Sequence, residues 1–420
     1  MGCKVNRYET EKMLEDLQNI GFTLEIDPKA ADLIVVNSCT VTAESDRKTR
    51  QLTRRYKRQN PHAVILLTGC MPQAFPKDAE ELPADIILGN GSERNIIWAV
   101  NTYFNTHNRI VEISPHKKGE IFGSSVLSDF SERTRAYMKI EDGCDRGCTY
   151  CIIPKARGRV RSRSLEDIRA EAENLAKNGF KEIVLVGINL SSFGKDTGTT
   201  LADAVSSVAT VDGIKRVRLG SLEPDLTDDA LLNSLKQIPE FCPQFHLSLQ
   251  SGSNATLKRM NRLYSAEEYF SLTEKIKKIW HNASITTDIM VGFIGETDEE
   301  FNESLKFAEK VGFLKAHIFP YSIREGTFAA VMTPKVNEEV KNLRAAKMSD
   351  KCDKISENIL KSLKGQTRSV LFERKTGECS HGYSEDYISV YVKENCNTGE
   401  IKNVKILDTL NDGVLAEIIE

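Results

Sequence analysis

Three cysteines, Cys144, Cys148 and Cys151, stand inside the stretch "DGCDRGCTYC" in the spacing C-x3-C-x2-C. Thiolates bind soft metals, and three of them make a site with one coordination position left over. Random placement of ten cysteines would give this pattern with a probability of roughly 0.006, so chance is a poor explanation. A structural zinc site wants a fourth ligand, yet no His or Cys follows until Cys242. A four-iron cluster fits better, because three thiolates hold it and one iron stays open to a ligand. A zinc knuckle remains the competing reading.

A second triplet is scattered: Cys3 in "MGCKVNRYETE", Cys39 in "VVNSCTVTAESD" and Cys70 in "LLTGCMPQ". The last two follow apolar, strand-like runs, and loops at the carboxyl ends of parallel strands converge. The three thiols are either a second metal site or three separate buried cysteines. Cys242, Cys352, Cys379 and Cys396 have no metal-ligand spacing, and His246 reads as a strand core residue.

Basic residues cluster twice. Residues 47–58, "RKTRQLTRRYKR", hold seven basic and no acidic side chains. Arg47, Arg50, Arg54 and Arg58 fall on one helical face, a stripe suited to phosphates or simply a solvated surface. A second run directly after Cys151 carries Lys155, Arg157, Arg159, Arg161 and Arg163. Basic groups beside a reaction centre favour an anionic substrate.

The elements that position these groups follow from periodicity. Up to about residue 112 helical patterns alternate with apolar strands, the signature of an open parallel α/β domain. Residues 113–134 are polar and aperiodic and read as a linker. From 135 to 335 the alternation resumes, with strands expected near 136–141, 181–187, 214–219, 245–249, 284–292 and 315–320. Six βα steps predict a partial, TIM-like barrel, whose carboxyl-end loops form the site. Gly187, Asn189, Ser221, Glu223 and Gln250 all lie at such ends, though each could equally be a turn or cap. Capping boxes are expected at Ser164/Asp167, Ser265/Glu268 and Thr297/Glu300. A connecting helix over 336–364 then leads to residues 365–420, where four strand-like segments predict a small β-barrel.

The formal charge is −3, which excludes a globally basic nucleic-acid binder, and residues 366–420 hold six Lys/Arg against ten Asp/Glu. There is no run of eighteen apolar residues, and Asn6 stands where a myristoylation signal needs Ser or Thr. The reading is a cytoplasmic, non-membrane monomer whose cysteines serve metals or catalysis rather than disulfides.

The C-x3-C-x2-C stretch after the first strand of a βα barrel, with Tyr150 before Cys151, resembles the radical S-adenosylmethionine superfamily. "EDGCDRGCTYCIIPKARGRVRSR", "SLEPD", "HLSLQSGSNATLKRMNR", "HIFPYSIREGT" and the N-terminal cysteine segments resemble the methylthiotransferases within it. The resemblance covers nearly the whole chain and implies a terminal RNA-binding TRAM domain. "GCKVNRYETE" is most similar to the branch that methylthiolates threonylcarbamoyl-adenosine beside the anticodon of tRNA, with Lys4-Val5-Asn6 carrying most of that likeness. Sister branches act on isopentenyl-adenosine or on an aspartate of a ribosomal protein.

The resemblance implies two [4Fe-4S] clusters, one on Cys144, Cys148 and Cys151 and an auxiliary one on Cys3, Cys39 and Cys70. It further implies two S-adenosylmethionine molecules per turnover, held by Gly187, Asn189, Ser221, Glu223 and Gln250. A tRNA substrate would lie against Arg47, Arg50, Arg54, Arg58, Lys155, Arg157 and Arg159. Electrons would come from a flavodoxin or ferredoxin, and sulfur from a donor the sequence does not identify. An iron-sulfur electron carrier and a zinc-containing RNA-binding module are the readings from other classes. Two departures stand out. No strand precedes Cys3, so Cys3 is expected to be less firmly held, and Ile294 and Glu325 replace the family's usual prolines.

Overall fold

The computed structural model describes residues 2–90, 96–123, 126–127 and 134–419. Residues 124–125 and 128–133 of the expected linker lie outside them. The described part of that segment is tied down: His116 reaches Glu120 at 2.9 Å and the Ala156 carbonyl at 3.3 Å, while Arg161 donates to Glu120 at 2.9 Å.

Four parallel strands, Leu33–Ser38, Val64–Gly69, Ile86–Leu88 and Ile110–Glu112, pair in chain order in the N-terminal sheet. Val64–Gly69 is buried throughout, as a mainly apolar central parallel strand must be. The basic helix Ala43–Gln59 starts where the Thr42 side chain accepts from the Ser45 N–H, a serviceable N-cap. The helix Lys4–Asn19 begins directly after Cys3. It belongs to two cores: Leu17 packs on the N-terminal sheet, whereas Val5 and Tyr8 join the central core and the Tyr8 hydroxyl donates to buried Glu171 at 3.0 Å.

The central unit is a partial barrel of six principal parallel strands: Arg135–Lys139, Glu182–Val186, Arg216–Leu219, Gln244–Leu247, Ser284–Val291 and Lys315–Pro320. Its two sheets meet through a parallel bridge between Val217 and Phe241. Capping boxes form in full at Ser265/Glu268 and Thr297/Glu300, and also at Thr200/Asp203. At Ser164 the hydroxyl accepts from the Asp167 N–H without a reciprocal bond.

The connecting helix Glu338–Ser362 leads to a closed five-stranded barrel, one strand more than expected. The additional strand, Cys379–Ser384, is polar along its length and offers no apolar alternation to read. This barrel caps the amino ends of the central strands. Buried Glu182 there gathers Arg135, Arg216 and Arg218 at 3.9, 3.7 and 3.1 Å. The same arginines reach across: Arg218 donates to the Ser384 and Glu385 carbonyls, and Arg135 lies over the Tyr383 ring at 4.6 Å. The terminal barrel is thus docked at the end opposite the central cysteines. No described helix is long and apolar enough to cross a membrane.

Candidate active site

Cys144, Cys148 and Cys151 occupy the loop after the first barrel strand. Gly143, at φ +86°, makes the turn into it; a Cβ there would come within 1.9 Å of the Arg159 carbonyl oxygen, so only glycine fits. Burial pushes the Cys151 thiol up to about 12 and the Cys144 thiol to about 11, with the neighbouring thiols adding to the shift. Donors offset that cost. Cys144 Sγ accepts from the Arg146 backbone N–H at 3.4 Å and from Asn189 Nδ2 at 3.6 Å, and Cys148 Sγ accepts from Arg262 Nη1 at 3.3 Å. Tyr150 is wedged edge-on against Phe293, ring centres 6.1 Å apart.

The five residues at strand ends form one rim. Asn189 is buried beside Cys144, and its Oδ1 has no hydrogen-bond partner. Gly187 leaves room for the Glu141 carboxylate, which would stand 2.5 Å from a Cβ at that position. Glu223 is ion-paired with Arg262, the residue that reaches Cys148. Gln250 adopts φ +66° and continues the sheet, its N–H donating to the Asp288 carbonyl at 2.9 Å. Ser221 is exposed in a short strand paired with Gln244–Leu247.

The scattered thiols also converge. Burial pushes the Cys70 thiol up to about 12, with Glu9, Cys39 and Cys3 adding to the shift and Arg157 opposing it. Cys3 caps the first helix, and its thiol donates to Asn6 Oδ1 at 3.3 Å. Buried Asn6 in turn donates to Asn37 and to the Ser38 carbonyl at 3.2 and 3.0 Å, tying Cys3 to the strand that delivers Cys39. Cys3 itself is exposed.

Arg157 ties the scattered triplet to the segment that follows Cys151. It lies six residues after Cys151, is 1% exposed, and donates to Cys70 Sγ at 3.1 Å and to Glu9 at 2.8 Å. The short helices Cys70–Ala74 and Ile153–Arg157 share one apolar cluster, Cys70, Ala74, Ile152 and Ala156. Arg324 adds a second clamp, donating to Thr40 at 2.8 Å beside Cys39. Among the described residues no three His, Cys, Asp or Glu side chains stand in a finished metal-ligand arrangement. The donor chemistry nevertheless suits iron-sulfur clusters: two sets of three thiols, each with a guanidinium on one sulfur, able to temper the charge of a thiolate-bound cluster.

Several expectations need correction. Arg157 is no phosphate contact, because it is buried and paired with Glu9 and Asp142; Arg161 and Arg163 are likewise buried, against Asp142 with Glu120 and against Glu171. Lys155 and Arg159 are exposed. On the basic helix Arg47, Arg54 and Arg58 are exposed, but Arg47 is held by Glu44 and Arg50 lies 3.8 Å from Asp78. His246 is not a core residue: it faces the barrel lumen and pairs with Asp288 at 3.3 Å. Arg262 and Glu141 went unread as site residues. Arg262 sits within a motif that resembles the family, whereas nothing in spacing marks Glu141.

Comparison with known proteins agrees with this architecture. Residues 138–308 match the model of the Radical SAM superfamily, and residues 1–89 match "Uncharacterized protein family UPF0004". Among solved structures, the radical S-adenosylmethionine methyltransferase TsrM from Kitasatospora setae is similar over 76% of this chain and 73% of its own, with TM-score 0.59 and 14% identity. The fold is therefore that of a radical S-adenosylmethionine enzyme, whose class uses S-adenosylmethionine and a [4Fe-4S] cluster.

A threonylcarbamoyladenosine tRNA methylthiotransferase from Thermotoga maritima is 39% identical over 99% of this chain and 95% of its own length. Its namesake from Bacillus subtilis is 35% identical over 100% and 96%. A tRNA-2-methylthio-N(6)-dimethylallyladenosine synthase from Pelotomaculum thermopropionicum is 37% identical over 89% and 85%. The chain belongs to the radical S-adenosylmethionine methylthiotransferase family.

Proposed function

We propose that this chain is a tRNA methylthiotransferase that replaces the C2 hydrogen of threonylcarbamoyl-adenosine, beside the anticodon, with a methylthio group. The observation that carries this reading is a second thiol triplet tied to the barrel by Arg157, which follows Cys151 in the chain and donates to Cys70, a feature that a single-cluster enzyme would not need. Cys144, Cys148 and Cys151 would hold the cluster that binds S-adenosylmethionine, and Cys3, Cys39 and Cys70 would hold a second cluster that presents sulfur. S-adenosylmethionine, when bound, would supply reductive chemistry for removing the C2 hydrogen and, from another molecule, the methyl group.

The chain's own groups position and shield. Gly187, Asn189, Ser221, Glu223 and Gln250 orient S-adenosylmethionine, with the unpartnered Asn189 Oδ1 available to a donor on it. Arg262 fixes Glu223 and steadies Cys148. Arg54, Arg58, Lys155 and Arg159 meet tRNA phosphates, with Arg47 and Arg50 joining if released from Glu44 and Asp78. A flavodoxin or ferredoxin in the cytoplasm delivers the electron.

The dimethylallyl-adenosine branch is the second reading, favoured by the 37% identity of the Pelotomaculum relative. Mass spectrometry of tRNA nucleosides from cells with and without the gene separates the two. Loss of methylthio-threonylcarbamoyl-adenosine alone is the expected result. Loss of the dimethylallyl derivative instead would assign the chain to the other branch.

A further inference from the structure

The barrel strands sort their side chains by period two. On Gln244–Leu247, Phe245 and Leu247 enter the core while His246 faces the lumen; Thr286 and His317 face it from the next two strands. These groups line a cavity of about 620 Å³ that also reaches Tyr387 of the terminal barrel. Ligand pockets run roughly 300–1,000 Å³.

Lys4 projects into this cavity from the start of the first helix. Among the described residues no hydrogen bond or ion pair holds its ammonium. Asp288 and Tyr387 attract it without bonding it, Asp288 also lying 3.3 Å from His246, while Arg135 and Arg218, which repel it, pair with Glu182. The cavity's remaining acids, Asp353, Glu357 and Asp412, belong to the connecting helix and the terminal barrel. His246 and Gln244 both bond the Thr286 hydroxyl, at 3.1 Å each. His246 stands opposite Thr286 and Gln250 opposite Ile289, three residues further along that strand, so these groups sit about 10 Å below the rim. That is the scale of a purine carrying an extended N6 substituent. Lys4 also follows Cys3 directly, so the side chain that enters the cavity is carried by the residue next to one auxiliary thiol.

A dimethylallyl group here would desolvate an ammonium and a hydroxyl and return no bond. A threonylcarbamoyl group brings a carboxylate, a hydroxyl and N–H donors. We propose that this lumen cavity receives the amino-acid substituent of the substrate adenosine, with Lys4 pairing its carboxylate and acting as a specificity-determining residue. The inference rests on the tRNA reading above.

The test is steady-state kinetics of the reconstituted full-length enzyme on three tRNAs differing only at that adenosine: threonylcarbamoyl, dimethylallyl or unmodified. The wild-type enzyme should prefer the first by about 100-fold or more in kcat/KM. Lys4→Met should lose roughly 30-fold on that tRNA alone, mainly through KM, and Lys4→Arg should recover most of it. Because Lys4 adjoins Cys3, Thr286→Val, on a strand without cysteines, is the second variant; about a 10-fold loss of preference is expected for one hydrogen bond. If Lys4→Met and Thr286→Val both keep the wild-type preference, the pocket assignment is overturned while the tRNA function stands. A wild-type enzyme that does not prefer the threonylcarbamoyl tRNA would overturn the reading on which the pocket rests.

Discussion

The two thiol triplets reach the same number of sulfurs by opposite routes. Cys144, Cys148 and Cys151 share one loop, whose geometry is set by Gly143 and by backbone bonds such as Cys151 N–H to the Cys148 carbonyl at 3.1 Å. Cys3, Cys39 and Cys70 come from a helix cap and two strand ends, and need Asn6, Asn37 and Arg157 to bring them together. A local triplet can bind its cluster as soon as its loop forms. An assembled triplet needs the first helix packed on the N-terminal sheet, through Asn6, Asn37 and the Ser38 carbonyl, and Arg157 then ties it to the barrel, so its integrity reports on those contacts.

The largest expected effect comes from the local set. Replacing Cys144, Cys148 and Cys151 with Ala should lower S-adenosylmethionine cleavage by at least about 1,000-fold and remove about four irons per chain. Anaerobic reconstitution with iron counting and 5′-deoxyadenosine measurement checks it. Zinc without iron in a carefully prepared wild-type protein would break the comparison outright.

Arg157→Met tests the junction. Its removal takes one cation from Glu9 and Asp142, which keep Lys139, and Asp142 also Arg161, so the cost falls below the roughly 3–5 kcal/mol of an uncompensated buried charge. Denaturant unfolding should show that loss, and the auxiliary iron should leave before the local set does. An Arg157→Met protein of wild-type stability and iron content would show that the two sites are not coupled through this residue.

Glu141 sharpens the picture of the local site. Burial raises its carboxyl well above the usual range, with the Asn189 and Ile188 N–H groups opposing the shift. A folded-state pKa above the unfolded one stabilises most below the unfolded value, about 4.3, and that contribution is lost as pH rises through the folded one. Glu141→Gln, which resembles the protonated form, should therefore flatten the decline of melting temperature as pH is raised from about 5. Unchanged pH profiles in the variant would mean that the carboxyl ionises freely.

The smallest effect belongs to the basic helix. Arg54 and Arg58 are exposed and make no ion pair among the described residues, so their neutralisation should flatten the salt slope of tRNA binding by about 0.7–0.9 each. Arg47 and Arg50, engaged by Glu44 and Asp78, should add less. Binding measured across a salt series would show equal contributions from all four if the stripe reading without those acids were right.

What was legible follows the same division. The local triplet could be read from spacing, and the six barrel strands from apolar runs between helical stretches, because both signals are contiguous. The basic helix was legible from its aligned arginines, whereas the Thr42 cap that sets its start is seen in the structure. Arg157 was misread because charge in a sequence looks like surface until a partner such as Glu9, 148 positions away, is brought in by the fold. His246 was misread for a related reason: in a barrel both faces of a strand are enclosed, and period two does not say which enclosure is wet. The strand Cys379–Ser384 carried no pattern at all.

The central claim is that the two triplets do different chemistry. Its most direct test is the double variant Cys39→Ala, Cys70→Ala, reconstituted anaerobically and assayed in parallel for iron, 5′-deoxyadenosine and methylthiolated tRNA. The account predicts about four irons per chain, S-adenosylmethionine cleavage retained, and no methylthio product. Methylthio product at the wild-type rate from that variant would contradict it.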